Sequence, residues 1–94
     1  VNAQPSGSYR IELPSRRIEK QLDRLPQKDF ERVARSLERL ADNPRPIGVV
    51  KLRGRIHRMH VGAYRVIYSL YDQKKLIVIT KVDRRKERTY KKLS

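Results

Sequence analysis

Arg55–Tyr71 reads RIHRMHVGAYRVIYSLY, two alternating runs on either side of Gly62-Ala63. Period-2 alternation flanking a two-residue break that contains glycine predicts a β-hairpin, with one strand over Arg55–Val61 and its partner over Tyr64–Tyr71. The same alternation sorts the side chains: His57, Met59 and Val61 take one face, Arg58 and His60 the other. Met59 and Val61 are expected in the core. A plain hairpin would carry threonine or glutamate outside; arginine and histidine there are the chemistry of a phosphate-handling surface.

Outward from the hairpin the period-2 pattern continues on both sides. Val49-Val50-Lys51-Leu52 is a short extended run. Past an Asp72-Gln73-Lys74 turn, Lys75–Val82 reads as a third long strand, and Leu76-Ile77-Val78-Ile79 is apolar on both faces, as in a strand inside a sheet. Further upstream, Tyr9–Leu13 alternates as a half-buried strand until Pro14-Ser15 ends it and opens a helix. Ile18, Leu22 and Leu25 share one face of that helix, which Pro26 breaks. Phe30, Val33, Ala34, Leu37, Leu40 and Ala41 form the stripe of a second helix, stopped by Asn43-Pro44-Arg45-Pro46. Phe30 is expected in the core, and Arg16, Arg17, Arg32 and Arg35 on a solvated face mixed with carboxylates.

The expected architecture is a small single α+β domain in the order β-α-α-β-β-β. A strand from each end of the chain pairs to complete a twisted, mainly antiparallel sheet, with the helical hairpin on one face and the other face open. The domain is expected over residues 9–94. Residues 1–8, VNAQPSGS, are polar with Pro5 and Gly7 and are expected to be a disordered lead-in. Asp83–Leu93 is expected to be a short basic helix or a flexible tail.

The chain has 94 residues, with 24 Lys and Arg against 10 Asp and Glu. The excess is uneven: residues 1–50 hold 10 basic and 7 acidic side chains, residues 51–94 hold 14 and 3. The second half therefore favours a polyanion, RNA or DNA first, and an acidic protein partner. No cysteine is present, which excludes disulfides, thiolate metal sites and cysteine nucleophiles. Two histidines without a carboxylate cluster argue against a zinc site, and no cofactor is expected. No apolar run reaches the ~18 residues of a membrane span and no hydrophobic signal segment opens the chain, so the expected address is the cytoplasm.

The block KLRGRIHRMHVGAYRVIYSLYDQKKLIVITKVDRRKERTY, preceded by a strand and a helical hairpin ending near prolines, resembles the RelE/ParE superfamily of toxins from toxin–antitoxin pairs. The resemblance runs from about Tyr9 to Leu93, and its most specific piece is Val61–Tyr68, similar to the family's VGxYRVIY hairpin. For the RelE branch it implies a ribosome-dependent endoribonuclease that cuts mRNA in the decoding site; for the ParE branch, a gyrase poison without nuclease chemistry. In the nuclease reading Arg58 and His60 stand where relatives place a basic pair, commonly lysines. Arg65 matches the arginine of the YR dipeptide, Arg85 that of the late basic cluster, and Tyr90 the tyrosine that stacks on or orients RNA, though Tyr90 could equally pack on the sheet edge.

Metal-free RNA cleavage requires the 2′-hydroxyl to lose a proton and attack phosphorus, with charge stabilised on the phosphoryl oxygens. Arginine is a poor general base, so of the strand pair His60 is the candidate base or electrostatic helper; binding phosphate or a base edge is its other role. Arg65 and Arg85 suit a phosphate clamp, and a structural ion pair is the weaker reading because this half has few acids. Lys51, Arg53, Arg55, Arg84 and Arg88 are candidate contacts to RNA backbone, and Tyr64 a candidate border of the cleft. His57 is expected to be a satisfied histidine near the core, and Tyr68 to pack inward. The resemblance also implies a RelB-like antitoxin whose acidic segment wraps the domain, and operator DNA bound only through that antitoxin.

Overall fold

Gly62 adopts φ +59°, a left-handed conformation that favours glycine, and Ala63 does not, the pattern of a two-residue type II′ turn. This turn joins β3 (Ile56–Val61) to β4 (Tyr64–Tyr71) with Val61 opposite Tyr64 and Ile56 opposite Ser69. The computed structural model describes residues 8–84. The lead-in before Ser8, and Arg85, Arg88 and Tyr90 of the basic C-terminal segment, lie outside the described residues.

Around the hairpin the chain runs β1 (Arg10–Glu12), α1 (Arg16–Asp23), α2 (Gln27–Asp42), β2 (Val50–Arg53), then β3, β4 and β5 (Leu76–Arg84). The fold is a small α+β domain with one five-stranded sheet in the order β1-β5-β4-β3-β2. The two ends of the chain meet as expected: β1 lies parallel to β5, and every other neighbouring pair is antiparallel. The extended run near Val49 is a strand in its own right. Val50 pairs with Arg58 and Lys51 with His57, which gives the sheet a fourth consecutive antiparallel strand and makes β2 its edge.

Alternation separates the faces cleanly in β4. Tyr64, Val66, Tyr68 and Leu70 are buried under the helices, while Arg65, Ile67, Ser69 and Tyr71 turn the other way. His57, Met59 and Val61 of β3 join the buried set with Ile77, Ile79 and Val82 of β5. Ile18 and Leu22 of α1 and Val33 and Leu40 of α2 close the core. Tyr68 is fully buried, and its hydroxyl donates to the Pro44 carbonyl at 2.7 Å; burial pushes that hydroxyl up to about 12.

Two expectations fail on this frame. β5 continues past Val82 to Arg84. A β-bulge at Thr80 lets Ile67 pair with Lys81 while Tyr68 pairs with Ile79, and the Thr80 hydroxyl donates to the Ile67 carbonyl. The extra residue shifts the alternation, so Val82 faces the core and Lys81 and Asp83 the open side. Phe30, expected in the core, is 38% exposed. It sits in the first turn of α2, where Asp29 rather than Phe30 meets Tyr64 of β4, and Val33 one turn later is buried instead.

Truncating Leu40 to Ala removes a fully buried side chain and is expected to cost about 2–5 kcal/mol. Ile47→Ser, at a fully exposed position, is expected to stay within about 0.5 kcal/mol. Urea denaturation midpoints of the two variants check the assignment of core and surface.

Candidate nucleic-acid interface

The open face of the sheet follows from register. Residues paired directly across strands share a face, so His60 of β3, Arg65 of β4 and Asp83 of β5 form one row. Next to it, Arg58, Ile67 and Lys81 form a second. Four basic side chains are thereby gathered on two adjacent rungs, with half-buried Ile67 between them.

Arg65 is held by Asp83. Its Nε donates to Oδ1 at 3.2 Å and its Nη2 to Oδ2 at 3.1 Å, a two-pronged pair, and Lys81 Nζ approaches the same carboxylate at 3.6 Å. The hydrogen bond and charge of Asp83 raise the Arg65 pKa. Burial pushes the Asp83 carboxyl up, but the hydrogen bond and charge of Arg65 together with Lys81 outweigh it and hold it below its ordinary value. The structural ion pair, the weaker reading from sequence, is therefore the arrangement found. It follows from the bulge at Thr80, without which Asp83 would turn toward the helices. The pair fixes the guanidinium and leaves Nη1 to the open face. Arg58 is half-buried on the neighbouring rung, and its Nε is enclosed without a hydrogen-bond acceptor among the described residues.

The remaining candidates divide. Tyr64 does not border the open face: its ring is buried on the helical side, and its hydroxyl donates to Asp29 of α2 at 3.2 Å. Burial and that bond raise its pKa. The reason is its register opposite Val61, an inward position. Arg84 follows Tyr64 to that side, its guanidinium 5.9 Å from the ring centroid. Lys51 pairs with His57 and so also belongs to the helical side, whereas Arg53 pairs with outward Ile56. Arg55 caps the start of β3, its guanidinium 5.1 Å from the Tyr71 ring. His57 is 4% exposed, stacks on Tyr68 and places Nδ1 2.8 Å from the Arg55 carbonyl, the satisfied histidine expected. Asp83 is the residue that sequence reasoning missed; its spacing from Arg65 becomes a signal only once the bulge is known. Among the described residues no three His, Cys, Asp or Glu side chains gather as a metal site. No helix among them is long and apolar enough to cross a membrane.

The family model of the ParE toxin of type II toxin–antitoxin systems matches residues 13–89. Among solved structures, the archaeal RelE–RelB complex from Pyrococcus horikoshii OT3 shares 32% identity, covering 83% of this chain and 96% of that one with a TM-score of 0.77. The isolated E. coli RelE toxin aligns over 92% of this chain and 95% of its own at 21% identity and a TM-score of 0.76, which speaks for the fold. The RelBE2 toxin–antitoxin complex from Mycobacterium tuberculosis aligns at 23% identity over 83% and 99% with a TM-score of 0.70. No curated protein matches the sequence.

The Asp83 carboxyl ionises more readily in the folded chain than at its ordinary 3.8, so its pairing stabilises the fold above that pH and the contribution fades as pH falls through the lower folded value. The stability difference between wild type and Asp83→Asn is expected to be flat from neutrality to about pH 5 and to shrink below pH 4. Urea titrations across pH 3–7 measure it.

Proposed function

Because the chain belongs to the RelE/ParE superfamily of toxins from type II toxin–antitoxin systems, we propose that it is the nuclease kind of toxin, cutting mRNA in the ribosomal A site. The observation that carries this reading is the row His60–Arg65 beside Arg58 on an open sheet face, where basic side chains converge on a surface wide enough for a strand of RNA. In the proposed reaction the 2′-hydroxyl attacks the adjacent phosphorus, the 5′-oxygen departs as an alcohol, and a 2′,3′-cyclic phosphate remains. Arg65 pairs the phosphoryl oxygens through Nη1 while Asp83 keeps its plane fixed, so little reorganisation accompanies the build-up of charge. Arg58 supplies a second guanidinium on the neighbouring rung. His60 takes or buffers the proton of the 2′-hydroxyl. Arg85 and Tyr90 enter from the resemblance alone, as phosphate and base contacts; Arg53 and Arg88 enter from their charge, as contacts to RNA backbone, and Arg84, on the helical side, is left out of the RNA face.

The proposed partners are the ribosome with its mRNA and an acidic RelB-like antitoxin, with operator DNA reached through the antitoxin and the cytoplasm as the compartment. The net charge of +14 favours all three polyanionic encounters. The Pyrococcus horikoshii and Mycobacterium tuberculosis relatives were solved as toxin–antitoxin complexes, which supports the antitoxin. A second reading, a gyrase-directed toxin, is favoured by the family model that matches, which is that of ParE.

Primer extension on mRNA in stalled ribosomes, beside a gyrase supercoiling assay, separates the two. The expected result is new 3′ ends at the decoding site, reduced at least about 10²-fold by Arg65→Ala, with a smaller loss for His60→Ala if the histidine only binds. Intact mRNA with inhibited supercoiling would move the protein to the gyrase branch.

A further inference from the structure

A second cationic surface lies at the other end of the hairpin. A cleft of about 580 Å³ opens where β3 begins and β4 ends, walled by Lys51, Arg55, His57, Tyr71 and Lys74 with Arg45 from the loop after α2. Five residues of strand separate Arg55 from His60, roughly 17 Å. Lys51 and His57 face the helical side and Tyr71 the open side, so the cleft lies at the end of the sheet, separated from the open-face row by the length of β3.

Its charge is unbalanced by construction. Asp72 is the single carboxylate in the wall, and it is already committed: Arg45 donates to both its oxygens at 3.2 and 2.6 Å, and the Tyr9 hydroxyl donates at 2.7 Å. The hydrogen bonds from Arg45 and Tyr9 lower its pKa to about 2, so it stays ionised and neutralises Arg45 alone. Lys51, Arg55 and Lys74 meet no carboxylate among the described residues. Arg55 is steadied by stacking on Tyr71. His57 adds a directed polar group. The ring lines the cleft with Nδ1 donating to the Arg55 carbonyl at 2.8 Å, which ties His57 to the backbone of the residue that carries the guanidinium.

We propose that this cleft binds a phosphate group, carried by a nucleotide or by an RNA strand. One guanidinium and two ammonium groups, brought together from strand β2 and the turns after β2 and β4, match a tetrahedral anion with several oxygens better than a flat carboxylate, and an anion between them removes their mutual repulsion. Leu70 and the Tyr71 ring give an apolar wall for the attached ribose or base. The volume lies within the range of small-ligand sites and holds a mononucleotide.

The test uses the full chain at constant ionic strength, titrated with uridine 5′-monophosphate, with inorganic phosphate, and with a five-nucleotide uridylate lacking terminal phosphates. The readouts are calorimetry and the ring nitrogen signals of His57. The expected result is saturable one-site binding that shifts those signals and weakens at least tenfold in Lys51→Gln/Arg55→Gln. Lys28→Gln/Arg35→Gln, which removes the same charge from exposed positions of α2, keeps full affinity. A His57 shift with the phosphate-ended ligands alone assigns a nucleotide or chain end, and a His57 shift with the uridylate assigns internal RNA backbone. Equal weakening by both double variants, or a titration in which none of the three probes shifts His57, would overturn the proposal.

Discussion

Everything on the sheet takes its side from the two-residue turn at Gly62. Its left-handed backbone accommodates glycine without strain, and Arg32 of α2 lies so close that a Cβ there would stand 2.6 Å from Nη1. The turn sets Val61 against Tyr64, and a strand pair has no intermediate registers: slipping by one residue would send every side chain to the opposite face. Met59, Val66 and Tyr68 would then face water, and Arg58, His60 and Arg65 would face the helices. The buried core and the basic surface are thus one choice made once, and the hydrophobic side of that choice enforces the polar side.

The bulge at Thr80 is a second, opposing adjustment. Strict alternation from Ile77 and Ile79 would carry Lys81 and Asp83 inward, under α1, where a charge without a partner is costly. One extra residue instead brings Val82 inward, where its N–H donates to the Gln21 side chain, and turns Asp83 toward Arg65. The cost of the interrupted ladder is offset locally, since the Thr80 hydroxyl reaches the Ile67 carbonyl. A device that protects the core therefore also decides how the arginine of the YR pair is held.

Period and punctuation made most of this fold legible. Pro14, Pro26 and the Asn43–Pro46 cluster bounded the helices, the alternation of Arg55–Tyr71 placed Arg58 and His60 on one face, and Tyr68 and His57 read correctly as inward. What escaped were features that alternation does not encode. A bulge is a skipped beat, visible only against the partner strand, so the end of β5 and the Arg65–Asp83 pair were hidden with it. Phe30 belongs to the apolar stripe, but a stripe says which face of a helix is apolar and not which of its members the sheet covers. Tyr64 looked ambivalent because a tyrosine suits both a core and a cleft; only its register against Val61 assigns it inward.

The division of charge is the last consequence. Asp72 and Asp83 are the described carboxylates of a strongly basic half. Each grips one arginine with two oxygens: Asp83 fixes Arg65 on the open face, and Asp72 fixes Arg45 beside the cleft while tying Tyr9 at the start of β1 to the β4–β5 turn. These clamps leave Arg58 on the open face, and Lys51, Arg55 and Lys74 at the cleft, without a carboxylate among the described residues, while Lys81 shares Asp83 with Arg65 at 3.6 Å. The two groups stand at opposite ends of the β3–β4 hairpin. Scarce acids used as clamps in this way orient cations without cancelling them, which is the condition for two separate anion-attracting surfaces on a domain of this size.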